Sequence, residues 1–232
     1  MTTSQIFFCG DTHGHFDHVI TAVLEHHPAA LVFVGDMQAQ HPLDEILQPI
    51  LNLTSIWWIP GNHDTDSDAD YDHLFGSALA DRNLHGRVVE VAGVRLAGLG
   101  GIFRGQVWLP PKPARYASSS AFAAQCGKGN LWRGGLPRKH RSSIFPADYA
   151  HLASQQADIL VTHEAPSCHL HGFAAIDELA RSLSVSLTIH GHHHDQPDYT
   201  SERGRLGFEA LSVGFCGIRD QYGDVIVRLR ES

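Results

Sequence analysis

Five short polar runs in this 232-residue chain each stand at the end of an apolar stretch. Gly61-Asn62-His63-Asp64 comes after Ile56-Trp57-Trp58-Ile59, and Asp11-Thr12-His13-Gly14-His15 comes after Ile6-Phe7-Phe8. Gly35-Asp36 follows Leu31-Val32-Phe33-Val34, Thr162-His163-Glu164 follows Ile159-Leu160-Val161, and Gly191-His192-His193-His194 follows Leu187-Thr188-Ile189. One Asp after a Gly is ordinarily a turn residue, and one His at a strand end is ordinarily structural. Turn chemistry, however, does not ask for His and Asn at successive strand ends. The candidate metal ligands are therefore Asp11, His13, Asp36, Asn62, His163, His192 and His194. Oxygen and imidazole donors without cysteine suit zinc, iron or manganese and argue against an iron–sulfur or thiolate-rich zinc site. Two divalent ions held side by side clamp a phosphoryl group, polarise its oxygens and acidify a water. Asp36 stands alone at its strand end and is the expected bridge between them.

Such residues must be presented by stiff elements, and the pattern supplies them. Strands are expected over 5–10, 30–34, 56–59, 158–161 and 186–189, and helices over 16–28, 42–51, 71–81, 146–156 and 174–183. Strand, helix and strand in succession imply parallel pairing with right-handed crossovers. Ligands at the C-terminal ends of parallel strands converge in one crevice. Val88–Val91 and Val94–Ala97 flank Ala92-Gly93 and read as a hairpin. The stretches 206–215 and 224–229 read as strands with no helix between them, so they are expected to pair antiparallel. The resulting expectation is an α/β fold: a two-sheet β-sandwich of mixed strands flanked by helices, with the dimetal site at strand C-terminal ends. It forms a single domain over 1–232.

The 18 histidines and a formal net charge of −8 bound the function further. An acidic chain is not a general nucleic-acid binder. Yet residues 91–147 contain no Asp or Glu and nine of the 17 Lys and Arg. Within them, 102–145 is an irregular basic segment, expected either as a solvated loop or as a cationic cover over an anion-binding site, with Trp108, Tyr116 and Trp132 available to stack on a flat group. Four widely spaced cysteines, no basic-then-apolar leader at Met1–Ser4 and no membrane-length apolar run lead to an expected cytoplasmic location without a membrane partner.

Taken together, Asp11-x-His13, Gly35-Asp36, Gly61-Asn62-His63-Asp64, His163 and Gly191-His192-x-His194 resemble, in order and spacing, the motifs of the calcineurin-like metallophosphoesterase family. The resemblance implies one ion held by Asp11, His13, Asp36 and His194, and a second by Asp36, Asn62, His163 and His192. It implies His63 as general acid or phosphate contact, with Asp64 orienting its ring. The chain departs from the phosphoprotein-phosphatase branch of the family, where Gly-Asp-x-x-Asp-Arg-Gly supplies a phosphate-gripping Arg. Here the stretch is Gly35-Asp36-Met37-Gln38-Ala39-Gln40-His41, and Arg104 is the expected replacement. His15, His169 and His171 are further candidates for lining the pocket.

The expected activity is metal-dependent hydrolysis of a phosphate monoester, on a small-molecule phosphate ester, a nucleotide or a phosphoprotein. The alternatives are a phosphodiesterase acting on a small or cyclic nucleotide diester and an inactive binding module of the same fold. A nuclease is disfavoured, because only one segment is basic.

Overall fold

The computed structural model describes residues 5–228. Two five-stranded sheets face each other. The first contains β1 (Ile6–Cys9), β2 (Ala30–Phe33), β3 (Ser55–Trp58), β9 (Ile218–Asp220) and β10 (Val225–Val227), in the order β10-β9-β1-β2-β3. The second contains β4 (Arg87–Val91), β5 (Val94–Leu99), β6 (Ile159–Thr162), β7 (Leu187–His190) and β8 (Glu209–Ser212), in the order β4-β5-β6-β7-β8. β1, β2 and β3 run parallel, as do β5 to β8, while β4, β9 and β10 are antiparallel additions at the edges.

Because both sheets are covered on both faces, their strands are apolar throughout rather than alternating. Ile6 and Phe8 point between the sheets, where they meet Val32, Ile59, Leu96, Val161 and Ile189. Phe7 and Cys9 point the other way, onto α1 (Asp17–His26) through Val19 and Val23. On the far face of the second sheet, Leu99 and Leu160 pack on α5 (Pro146–Ala153) and α6 (Ala174–Leu183). Full burial of each such side chain is worth about 1.5–3 kcal/mol.

The remaining helices are short. α2 (Leu43–Ile46) passes into a tight turn at Gln48–Ile50. α3 (Asp68–Phe75) starts three residues before the expected 71, because Ser67 Oγ caps it by accepting the Asp70 N–H at 3.0 Å. It ends at Gly76, well short of 81.

The C-terminal expectation needs correction. α7 (Arg203–Leu206) lies between β7 and β8, so β8 joins the second sheet parallel to β7 instead of pairing with the last strand. The chain then crosses through Val213–Gly217 to the first sheet, where β9 pairs antiparallel with both β1 and β10. Asp220 Oδ1 accepts the N–H groups of Tyr222 and Asp224, each at 2.9 Å, and so closes the β9–β10 hairpin. The expected strand end at Leu229, like Met1–Ser4, lies outside the described residues. Among the described residues no helix is long and apolar enough to cross a membrane.

The basic segment contains α4 (Ser119–Gln125), where Ser118 Oγ accepts the Ala121 N–H at 3.2 Å, and tight helical turns at Lys128–Asn130 and Arg138–Ser142. It is not a free cationic surface. Arg133 pairs with Asp72, and Arg138 with Asp68, both acids on α3. Arg141 lies over the Tyr71 and Trp132 rings. Trp108 is used in packing, edge-on to Phe103 and Tyr149, and Trp132 is edge-on to Tyr71. The segment thus docks on α3, and of the three aromatics Tyr116 and Trp108 each border a cavity.

His140 sits inside this segment, 6% exposed, with Nδ1 3.1 Å from Ser143 Oγ and its ring 4.3 Å from that of Phe122. Burial, helped by the charges of Arg104 and Lys139, lowers its pKa to about 4. A histidine that is neutral when folded but titrates near 6.5 when unfolded contributes stability that is complete above pH 6.5 and lost as pH falls towards 4. Melting curves from pH 7.5 to 4.5 should therefore fall less steeply for His140→Gln than for the parent chain. Allowing for partial solvent screening, the difference should be roughly 1–2 kcal/mol.

Candidate metal centre

All seven expected ligands lie beyond the C-terminal ends of β1, β2, β3, β6 and β7, at one end of the sandwich. Several sit on unusual backbone: Asp11, His13, Asp36, His192 and His194 have φ of 36°, 42°, 48°, 74° and 59°. Left-handed conformations are uncommon for residues other than Gly and tend to collect at functional sites. Turning the backbone at each strand tip lets residues two apart, such as Asp11 and His13, both aim inward.

The ligands form two groups. Ligand atoms of Asp11, His13 and His194 lie within 4.8 Å of one another, and so do those of Asp36, His163 and His192. In the first, His13 Nδ1 donates to Gln38 Oε1 at 2.5 Å, which leaves Nε2 as the acceptor facing His194 Nε2 at 3.1 Å. The His192 backbone N–H holds the Asp11 carboxylate at 3.0 and 3.1 Å. In the second, His163 Nδ1 donates to the Val34 carbonyl at 2.8 Å, and Nε2 faces Asp36 Oδ2 at 3.3 Å and Asn62 Oδ1 at 3.2 Å. Anchoring one ring nitrogen on an acceptor fixes which nitrogen is left for a metal.

The electrostatics ask for a cation. Burial disfavours an imidazolium at His163, but Asp36 outweighs it and raises the pKa to about 10. Burial likewise opposes ionisation of Asp36, and His163 outweighs it, holding the carboxyl well below its usual range. Burial, with Asp36 adding to it, lifts Asp11 to about 7. Burial and then the charge on His163 push His192 down to about 3. Converging lone pairs and a proton retained between buried groups fit a site built for divalent ions. Oxygen and imidazole donors keep zinc, iron and manganese as the candidates.

Three features differ from, or add to, the sequence reading. Asp64 does not orient His63. It is fully buried, and its carboxylate accepts the N–H groups of Met37, Gln38 and Gly61 at 2.7, 2.9 and 2.8 Å, tying two ligand loops together. The tight turn at His63–Thr65 instead brings Asp66 Oδ2 to 2.6 Å from His63 Nδ1. Second, Glu164 and His193 form a further cluster with His192, and Gln38 supports His13. Glu164 and His193 stand in the polar runs at the tips of β6 and β7, but nothing in the spacing pairs them or singles out Gln38, since these contacts are made by loop crossings that only the fold creates. Third, His169 and His171 do not join the ligands. His169 stacks on His193 at 3.9 Å and meets Asp195 at 3.2 Å, while His171 donates its N–H to His169. His15 is exposed.

Arg104 is half-buried and donates to Ser142 Oγ at 3.3 Å. Burial lowers its pKa, opposed by the carboxylates of Asp66, Glu164 and Asp36, so the guanidinium shares the field of the metal-ligand cluster.

Glycines let the loops touch. A Cβ at Gly61 would lie 2.1 Å from Asp36 Oδ1, and one at Gly35, where φ is +107°, would lie 2.4 Å from His163 Nδ1.

The family of calcineurin-like phosphoesterases matches residues 4–196. A Haemophilus influenzae protein, described only as uncharacterized, is 40% identical over 224 residues, spanning 97% of each chain. Among solved structures, TT1561 of Thermus thermophilus is 13% identical and superposes with a TM-score of 0.56 over 95% of this chain and 99% of that one, a likeness of fold.

Gly61→Ala should displace Asp36 and cost about 1–3 kcal/mol of stability through overpacking. Metal analysis of the purified variant should show less than half the parent's content, whereas Gly204→Ala, with no atom within 4 Å of the added Cβ and no left-handed backbone, should keep it.

Proposed function

We propose that this chain, which belongs to the calcineurin-like phosphoesterase family, hydrolyses phosphate monoesters of small molecules. Its general chemistry, metal-dependent phosphoester hydrolysis, is that of the family. The observation that carries the dimetal reading is the pair of adjoining ligand clusters, Asp11/His13/His194 and Asp36/His163/His192, at one end of the sandwich. In this reading Asp11, His13, Asp36 and His194 hold one ion, and Asp36, Asn62, His163 and His192 the other. The whole chain works as one unit, with 102–145 as its cover.

When bound, the two ions polarise the phosphoryl oxygens and acidify the attacking water. The chain's own residues do the rest. His63 lies beside the first cluster, its ring 5.6 Å from that of His13. With Nδ1 bound to Asp66, the opposite ring nitrogen is left to give a proton to the departing oxygen. Burial opposes the imidazolium, but the Asp66 hydrogen bond and the charges of Asp36 and Asp66 raise its pKa above the ordinary value. Arg104 offers positive charge from the cover side and takes the place of the phosphate-gripping Arg missing after Asp36. Neutralisation of Arg133 and Arg138 by α3 removes the broad cationic surface that a phosphoprotein or nucleic acid would need, which supports a small substrate.

Three measurements test this. Protein purified without chelator and supplied in turn with manganese, zinc or iron should hold near two ions per chain and cleave p-nitrophenyl phosphate faster than its bis-ester. Faster cleavage of the bis-ester would make the enzyme a phosphodiesterase, and neither ions nor turnover would leave a binding module. His63→Ala should keep its metals and lose roughly 10²–10⁴-fold in kcat, while Asp66→Asn should fall between it and the parent. Unchanged kcat in His63→Ala would remove that residue from the chemistry. Asp36→Asn should lose most of both ions, and full retention would refute the bridge.

A further inference from the structure

The pairing of β6 with β7 brings Glu164, His192 and His193 together. Thr162 and His190 are partners in that register, so Glu164 and His192, each two residues further on, emerge from neighbouring strands at the same level. A carboxylate oxygen of Glu164 and one ring nitrogen of each histidine lie within 4.8 Å of one another. Two imidazoles and a carboxylate are a zinc donor set, with a fourth position left for water. Donors at about 2.0–2.2 Å from one zinc stand about 3.3 Å apart, so the group has to close by roughly 1.5 Å at most.

Each member is short of partners. Glu164 is 4% exposed, and its Oε1 accepts the Phe103 N–H at 2.9 Å. Its other oxygen takes no hydrogen bond among the described residues, whereas buried carboxylates are ordinarily paired or bound to a metal. His192 makes its hydrogen bonds through the backbone N–H, to Asp11, and both its ring nitrogens are uncommitted among the described residues. His193 Nε2 is shut off from solvent and has no hydrogen-bond partner. Leaving a buried nitrogen unbonded is unfavourable, and a bound cation relieves it.

The His193 ring is nonetheless held in place. It stacks on His169 at 3.9 Å with the planes 16° apart. His169 is itself fixed, with Nε2 donating to Asp195 Oδ2 at 3.2 Å and Nδ1 accepting the His171 N–H at 3.1 Å. Both nitrogens of His169 are thus committed to the protein, and it serves as a buttress for a ring whose own buried nitrogen is not.

His192 is the contested member. Its ring lies 4.8 Å from that of His163 and 4.8 Å from that of His193. A neutral imidazole has one lone pair to offer, so His192 serves one ion at a time. An ion on Glu164 and His193 that takes His192 leaves Asp36, Asn62 and His163 to hold the second ion of the proposed pair.

We propose that Glu164, His192 and His193 form a third cation site, one that takes zinc, and that its filling in zinc excess draws His192 from the second ion and slows turnover. The slowing rests on the hydrolase reading above, and the site itself does not.

The test is equilibrium dialysis against rising zinc, with metal analysis and p-nitrophenyl phosphate turnover on the same samples. The proteins are the parent chain, His193→Ala, Glu164→Gln and His171→Ala, the last losing an exposed histidine of the neighbouring loop. The parent and His171→Ala should pass from near two ions per chain to near three, and turnover should fall roughly tenfold between those points. His193→Ala and Glu164→Gln should stop near two ions, and each should keep its own turnover within about twofold over the same range. Glu164→Gln keeps the side-chain shape and the acceptor for Phe103, so loss of the third ion in both variants is not misfolding. A third ion in the parent and both variants alike, or none in the parent, would overturn the site. A third ion that leaves turnover unchanged would overturn the capture of His192. One ion more in the parent than in both variants, in a protein that cleaves no ester with any metal, would keep the site and discard the hydrolase.

Discussion

A carboxylate and an imidazole, with 1% and 0% of their side chains exposed, face each other at 3.3 Å between the two sheets. Asp36 comes from the end of β2 in the first sheet and His163 from the end of β6 in the second, and His163 also donates to Val34 beside Asp36. Taking such a pair out of water usually costs as much as its attraction returns, so stability alone does not account for it. Its consequences are geometric. It registers the two sheets at one end of the sandwich, fixes the ring nitrogen that looks inward, and makes Asp36 the hinge point around which the other ligands gather. Asn62 reaches the same histidine, and the His63 N–H reaches the same carboxylate at 2.8 Å.

The docking of the basic segment on α3 is the second determinant, and its logic is charge matching. An acidic first turn on α3 recruits Arg133 and Arg138, and the aromatic side chains between them lock the contact. Individually such exposed ion pairs contribute little. Together with the Trp132 and Tyr71 packing they give a long irregular segment a fixed position against α3. The basic residues that α3 leaves unpaired become the distinctive part of the segment.

Much of this was legible in the chain. Buried parallel strands must be apolar along their length, so β1, β2, β3, β6 and β7 stand out as short hydrophobic runs, and polar residues at their tips are conspicuous. α6, expected over 174–183, is found there, because its apolar residues recur at helical spacing. What was not legible depended on distant partners. β9 is three residues long and owes its existence to the exposed edge of β1. α4 holds one large buried side chain, Phe122, too few to show a period. Asp64 and Asp66 are interchangeable in composition, and only the tight turn at His63 decides that one ties loops while the other holds the ring.

The left-handed backbone at Asp11, Asp36, His13, His192 and His194 has a consequence for how this centre tolerates change. Asp, Asn and His are among the few non-glycine residues at ease in that conformation, so the amino acids that chemistry requires are also those the chain path accepts. Charge and shape can therefore be separated at the carboxylates by exchange for asparagine, which keeps the backbone preference while deleting the negative charge. Valine or isoleucine at the same place would break both at once. Drift through this end of the molecule is channelled along a narrow set of residues, and a descendant freed from catalysis would still be held near the same alphabet by conformation alone.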